Sequence, residues 1–185
     1  LFAAHWQKPR AGALATYAAF AEFAYETRFG ADVDRNAKAK LILADTSALQ
    51  NVPHVDVANA AAAAAAGDLE KARKGLEAAS KRDPGDPIQR DIAVLRGEVE
   101  LLAHDTRAAK TAFDAALKLG AKAQAHYGLA RVAMAERDWP KVASETDATL
   151  AATPHHPGAL LLRALERYST KGDDTGALAD LAEIT

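Results

Sequence analysis

The chain has 185 residues, of which 49% are hydrophobic and 26% charged, a balance found in globular proteins and not in disordered ones. Twenty-three Lys and Arg against 25 Asp and Glu leave a formal charge of -2, so there is no basic excess for a polyanion and no nucleic-acid partner is expected. The absence of cysteine excludes disulfides, thiolate metal sites and a cysteine nucleophile, and no apolar run reaches the roughly 18 residues of a membrane span.

Ala, Leu, Glu, Lys and Arg dominate the long segments and strand-type alternation is nearly absent, so the expected class is all-α. Gly and Pro recur at intervals and divide the chain into ten expected helices: 11–29, 34–49, 53–66, 69–82, 88–104, 106–119, 122–136, 139–152, 157–171 and 174–184. The third of these holds the stretch ANAAAAAAAGD, which looks like a spacer. Alanine is the best helix former, however, and Gly67-Asp68 supplies a stop followed by a fresh start. No internal linker is long enough to split the chain, which implies one continuous array over 1–185.

Three segments share a frame: GDLEKARKGLEAASKRDPGD from Gly67, HDTRAAKTAFDAALKLGA from His104, and RDWPKVASETDATLAATP from Arg137. Each has Asp in second place, then Ala72, Ala109 or Val142, then Leu76, Phe113 or Thr146 four residues on, and Ala79, Ala116 or Thr149 three further. This pattern resembles the tetratricopeptide repeat (TPR), a 34-residue helix-turn-helix with small residues at fixed places in both helices. With repeat starts at 53, 90 and 123, the small place of the first helix falls on Ala60, Gly97 and Ala130, and a fourth start at 157 puts it on Ala164. The clearest repeats are thus 53–86, 90–122 and 123–156, with a partial or C-terminal repeat at 157–185 and a divergent helix pair at 13–50. Thr146 and Thr149 stand where apolar or small residues are usual, so looser packing is expected there.

The resemblance implies an α-solenoid, a right-handed superhelix of stacked antiparallel helix pairs, whose first helices line a concave groove. Its groove places fall on His54, Val57, Ala61 and Ala64 in the first clear repeat, and on Asp91, Val94, Glu98, Leu101 and Leu102 in the second. The third repeat contributes Gln124, Tyr127, Arg131 and Met134; the fourth, whose register is shifted by a one-residue insertion, contributes Leu161, Leu165 and Tyr168. The Lys/Asn/Arg clamp by which some TPR domains hold a chaperone C-terminus is absent, since Val57 and Ala61 occupy two of its places. A shallow, mostly apolar trough is expected instead, with Tyr127, Met134 and Leu101 as anchors and Glu98 and Arg131 as specificity contacts. For Leu101 and Leu102, packing against a neighbouring helix is an equal expectation.

No HExxH pair, ordered calcium loop, nucleophile elbow or phosphate loop occurs, so no metal, no cofactor and no catalysis are expected. His155-His156 falls in a turn between prolines. Seven of the 11 aromatics lie in the first 29 residues; on a helix Leu14, Ala21 and Tyr25 share one face while Phe23 points almost opposite. Phe20 and Phe23 are the aromatics singled out for an outside contact. They are expected to meet an upstream repeat or a second copy. With Leu at position 1 and the only Met at 134, the chain is expected to be part of a larger bacterial protein, cytoplasmic or alternatively periplasmic. Its expected role is a scaffold that binds a peptide or protein surface. The alternatives are a structural or oligomerising spacer, or an accessory domain that positions an enzyme elsewhere in the parent chain.

Overall fold

The computed structural model describes residues 53–82 and 85–184; the helix pair expected at 13–50 and the aromatics Phe20 and Phe23 lie outside them. Among the described residues there are eight α-helices and no strand: α1 Pro53–Ala65, α2 Leu69–Ser80, α3 Asp86–Leu102, α4 Thr106–Lys118, α5 Lys122–Glu136, α6 Trp139–Ala152, α7 Pro157–Glu166 and α8 Asp174–Ala182. A π-helical turn, Arg167–Lys171, extends α7. The chain divides between Ile88 and Gln89 into two compact units.

One local device recurs at the turn inside every pair. The residue before the shared Asp is left-handed, at Gly67, His104, Arg137 and Gly172. In the first three turns the Asp amide then reaches back five residues, from Asp68 to Ala63, Asp105 to Glu100 and Asp138 to Ala133, each at 2.9 Å. This closes the preceding helix in the Schellman manner. The same Asp opens the next helix, because its carboxylate accepts the N–H of Lys71, Ala108, Lys141 or Gly176 at 2.9 to 3.1 Å. The aspartate that marks the sequence repeat is therefore an N-cap.

In the first unit α1 lies against α2. A Cβ on Gly75 would come within 3.1 Å of the Ala60 Cβ, so the alanine at the small place is the point of closest approach. Ala58, Ala60 and Ala62 are buried in α1, as are Ala72, Leu76 and Ala79 in α2. The alanine-rich stretch is a packed helix, and Arg82 ties its start to the end of α2 through Asp56 at 2.7 Å.

The second unit is built around Phe113, which is fully buried. Gly97 of α3 and Gly128 of α5 both abut its ring, and a Cβ on either would fall 2.5 or 2.3 Å from the ring carbon Cε1. Leu129 and Val132 of α5 pack on Ala109 and Phe113 of α4. One pair later the sizes are exchanged: Thr146 stands at the place of Phe113, and Leu162 follows Gly128 by one 34-residue repeat. The looser packing expected there does not occur. Thr146 and Thr149 are both fully buried, and their hydroxyls donate to the carbonyls of Val142 and Glu145 at 2.8 Å, so no buried polar group is stranded.

The inserted residue of the fourth repeat lies between the start of α7 and its cap, Asp173. The π turn absorbs it, with Gly172 closing the turn onto the Arg167 carbonyl. Leu161 and Leu165 precede the turn and keep the register of the earlier repeats; Tyr168 lies within it.

Candidate protein-binding surface

The first helices of the second unit, α3, α5 and α7, are linked side chain to side chain. Glu98 of α3 accepts a hydrogen bond from the Arg131 guanidinium of α5, and both side chains remain 31% exposed. Arg131 also lies 5.6 Å from the centroid of the Tyr127 ring, one turn earlier. Tyr127 in turn meets the His156 ring, at the N-cap of α7, with centroids 4.5 Å apart. A half-exposed stripe of acid, cation and aromatic thus runs across three helices. Burial pushes the Tyr127 hydroxyl above its ordinary range; the Arg131 charge opposes this and the Glu98 charge adds to it.

Tyr127 does more packing than an anchor for a ligand would. Its ring touches the Leu150, Ala159 and Leu160 cluster as well as that of Ala130, Ala133, Val142 and Leu162. A Cβ on Gly158 would fall 2.3 Å from its oxygen, so glycine there leaves room for the hydroxyl.

The other groove places fall into three kinds. Val57 and Ala64 are buried in the first unit, where Ala61 is half-buried; His54 lies in the first turn of α1. Val94, Leu101, Gln124 and Met134 are half-buried, with Val94, Leu101 and Met134 each set against a core cluster of the second unit. Asp91 and Leu102 are exposed.

Leu161, Leu165 and Tyr168 are exposed apolar groove residues, Tyr168 being 66% exposed. They form one wall of a cleft of about 310 Å³ whose opposite wall is Leu178 and Leu181 of α8. Ala164 and Ala177 are buried beneath it, and Asp174 is the one charged residue that lines it. The α8 wall was not visible to a reading that assigned recognition to first helices alone. Its signal in the sequence was Leu178 beside Ala177, a large apolar side chain next to a small-residue place.

Behind this cleft α7 and α8 are held together by charge. Asp180 is buried and receives Arg163 through Nε at 3.1 Å and Nη2 at 2.6 Å, and Arg167 at 2.9 Å. The hydrogen bond to Asp180 raises the pKa of Arg163 further, against the opposing effect of burial. Glu145 takes the equivalent place in α6, seven residues after its cap. It meets His126 at 2.8 Å and Lys141 at 3.2 Å.

This geometry can be set beside known proteins. No protein-family model matches the chain, and no curated protein sequence matches it. Solved structures do. The chain resembles the helical repeat fold of MamA. The crystal structure of MamA aligns with a TM-score of 0.60 and 16% identity, over 87% of this chain and 90% of that one. The "MamA RS-1 ArsTM double mutant" gives 0.60 and 15%, over 91% and 92%. A further crystal structure of MamA protein gives 0.58 and 17%, over 91% and 89%. MamA is a TPR-containing protein, which agrees with the repeat frame at the level of fold. Among the described residues no helix is long and apolar enough to cross a membrane.

Proposed function

We propose that the chain is a non-catalytic bacterial TPR-type scaffold whose stacked helix pairs form a superhelix. In this reading the first helices present a concave face to a peptide or protein surface. The observation that supports it best is the Glu98–Arg131 pair. It joins α3 to α5 yet leaves both charges about one-third exposed, where a ligand can still reach them. A pair this open adds little stability, roughly 0.2–1 kcal/mol, so its benefit in this reading is selectivity among partners. The near-neutral net charge fits a protein partner better than a nucleic acid. The cytoplasm is the compartment this reading favours.

The test is a charge swap, Glu98→Arg with Arg131→Glu, which preserves the attraction but reverses its polarity on the surface. Proteins captured by the parent chain from an extract of the cells that express it are compared with those captured by the double variant. The reading requires that capture be lost while the circular dichroism spectrum and Tm stay unchanged. An unaltered set of captured proteins would show that this face is not the recognition surface.

A further inference from the structure

Asp68, Asp105, Asp138 and Asp173 cap α2, α4, α6 and α8 with a carboxylate. The cap of α7 is a histidine: Nδ1 of His156 accepts the N–H of Ala159 at 3.2 Å. An imidazole nitrogen accepts only while it carries no proton, so this cap exists in the neutral ring alone. The backbone carbonyl of His156 also accepts the Ala159 N–H, at 3.1 Å, and that of Leu160, at 3.0 Å. The helix therefore survives loss of the side-chain bond, and what the ring adds is a firmer start. No acidic residue lies in the first turn of α7 to offset a positive charge placed there.

The same ring ties α7 to the stripe on α5 and α3. It lies 4.5 Å from the Tyr127 ring, centroid to centroid and tilted by 44°. Arg131 lies 5.6 Å from the centroid of that tyrosine ring and donates to Glu98. Among the described residues, the titratable and charged groups on this side are thus Tyr127 and Arg131 of α5. In its own turn the neighbour His155 engages Glu183, from the end of α8, at 2.9 Å. A proton on Nδ1 removes the acceptor and sets a cation at the positive end of α7, where the helix dipole opposes it. The face of Tyr127 attracts cations, but Arg131 already uses that ring, so the second charge meets a like one. We propose that His156 is a proton-operated latch. Neutral, it fixes the start of α7 against Tyr127 of α5; protonated, it lets go, and the Glu98–Arg131–Tyr127 stripe loses its support on the α7 side and holds a partner less well. Only this last consequence rests on the scaffold reading.

The stabilising form is the neutral one, so the contribution is present above the ordinary imidazole range, about 6.5, and is lost as the pH falls through it. The full chain is melted at pH 7.5 and pH 5.5 beside His156→Asn, whose amide oxygen caps at either pH. Between the two conditions the parent should lose about 2–4 °C of Tm more than the variant. Asparagine lacks the ring that touches Tyr127, so the comparison is between the two pH responses and not between the two Tm values. The remaining histidines and carboxylates titrate in both proteins and cancel. His155→Asn is the control and should respond as the parent does. Long-range nitrogen–proton NMR at pH 7.5 should find the His156 proton on Nε2. Equal pH responses of parent and His156→Asn, or a proton on Nδ1 at pH 7.5, overturn the latch. In the capture experiment the parent should lose at least threefold of its bound partner at pH 5.5 while His156→Asn keeps it; equal losses overturn the link to the stripe. If neither protein captures a partner at pH 7.5, the scaffold reading falls, and the melts and the NMR still decide the latch.

Discussion

Gly128→Ala is the sharpest test of how the second unit is packed. In an ordinary helix interior the change stabilises by about 0.8–1 kcal/mol, because glycine carries more backbone entropy. Here the new Cβ would lie 2.3 Å from Phe113 Cε1, far inside van der Waals contact. A flexible side chain could retreat, but this ring also abuts Gly97, where even a single added carbon would stand 2.5 Å away. It is also fully buried, so no solvent-side movement is open to it. Overpacking costs roughly 1–3 kcal/mol; a contact this close belongs to the upper part of that range, about 2–3 kcal/mol, so after the helix gain of about 1 kcal/mol a net loss of about 1–2 kcal/mol is expected. Phe113→Leu alone should lose a similar amount through the cavity it opens. The double variant should be more stable than the sum predicts by at least ~1 kcal/mol, since each change relieves the other. Urea unfolding followed by circular dichroism at 222 nm measures all four corners of this cycle. The packing argument is refuted if Gly128→Ala is as stable as the parent, or if the two changes add to within ~0.5 kcal/mol.

The repeated turn gives two opposite expectations at adjacent residues. Asp105→Ala should cost about 1 kcal/mol through the lost cap on α4, whereas His104→Gly should stabilise by a few tenths to 1 kcal/mol because φ is +60° there; equal and opposite shifts in urea midpoint would support both, and a destabilising His104→Gly would count against the strain. Tyr127 supplies a pH dependence. Its folded pKa is raised above the ordinary 10.0, so the protonated ring contributes stability that is complete below pH 10 and is lost as pH rises through the folded value. Thermal melts in that alkaline window should fall more steeply for the parent than for Tyr127→Phe, and parallel curves would mean that ionisation of this ring is not coupled to folding.

The helix boundaries were legible because chain direction is controlled by local chemistry. A left-handed residue followed by Asp both ends one helix and begins another, and a pair of residues suffices to announce it. Ala60 was legible for a related reason: a small-residue place needs no knowledge of its partner, and Gly75 opposite it completes the contact. Thr146 misled because the size of a side chain was judged alone. Its tight burial depends on what stands across from it, and where Thr146 takes the place of Phe113, Leu162 of the following repeat takes that of Gly128. Such exchanges conserve volume over two helices about 16 residues apart, which a single-helix pattern does not reveal.

The same limit explains why the surface was only half legible. Carrying groove places along first helices named Glu98, Arg131, Leu161, Leu165 and Tyr168, each of which is accessible in part or in full. It could not tell that Tyr127 would be drawn inward, because that follows from Gly158, thirty-one residues later, giving up a side chain to make room. Nor could it supply Leu178 and Leu181, which belong to a second helix. The exposure of a second-helix residue depends on which helix packs over it, so it is set by its neighbour and not by its own repeat place. At the place of Leu181 the chain puts Leu76, Phe113 and Thr146 in the other pairs, all fully buried.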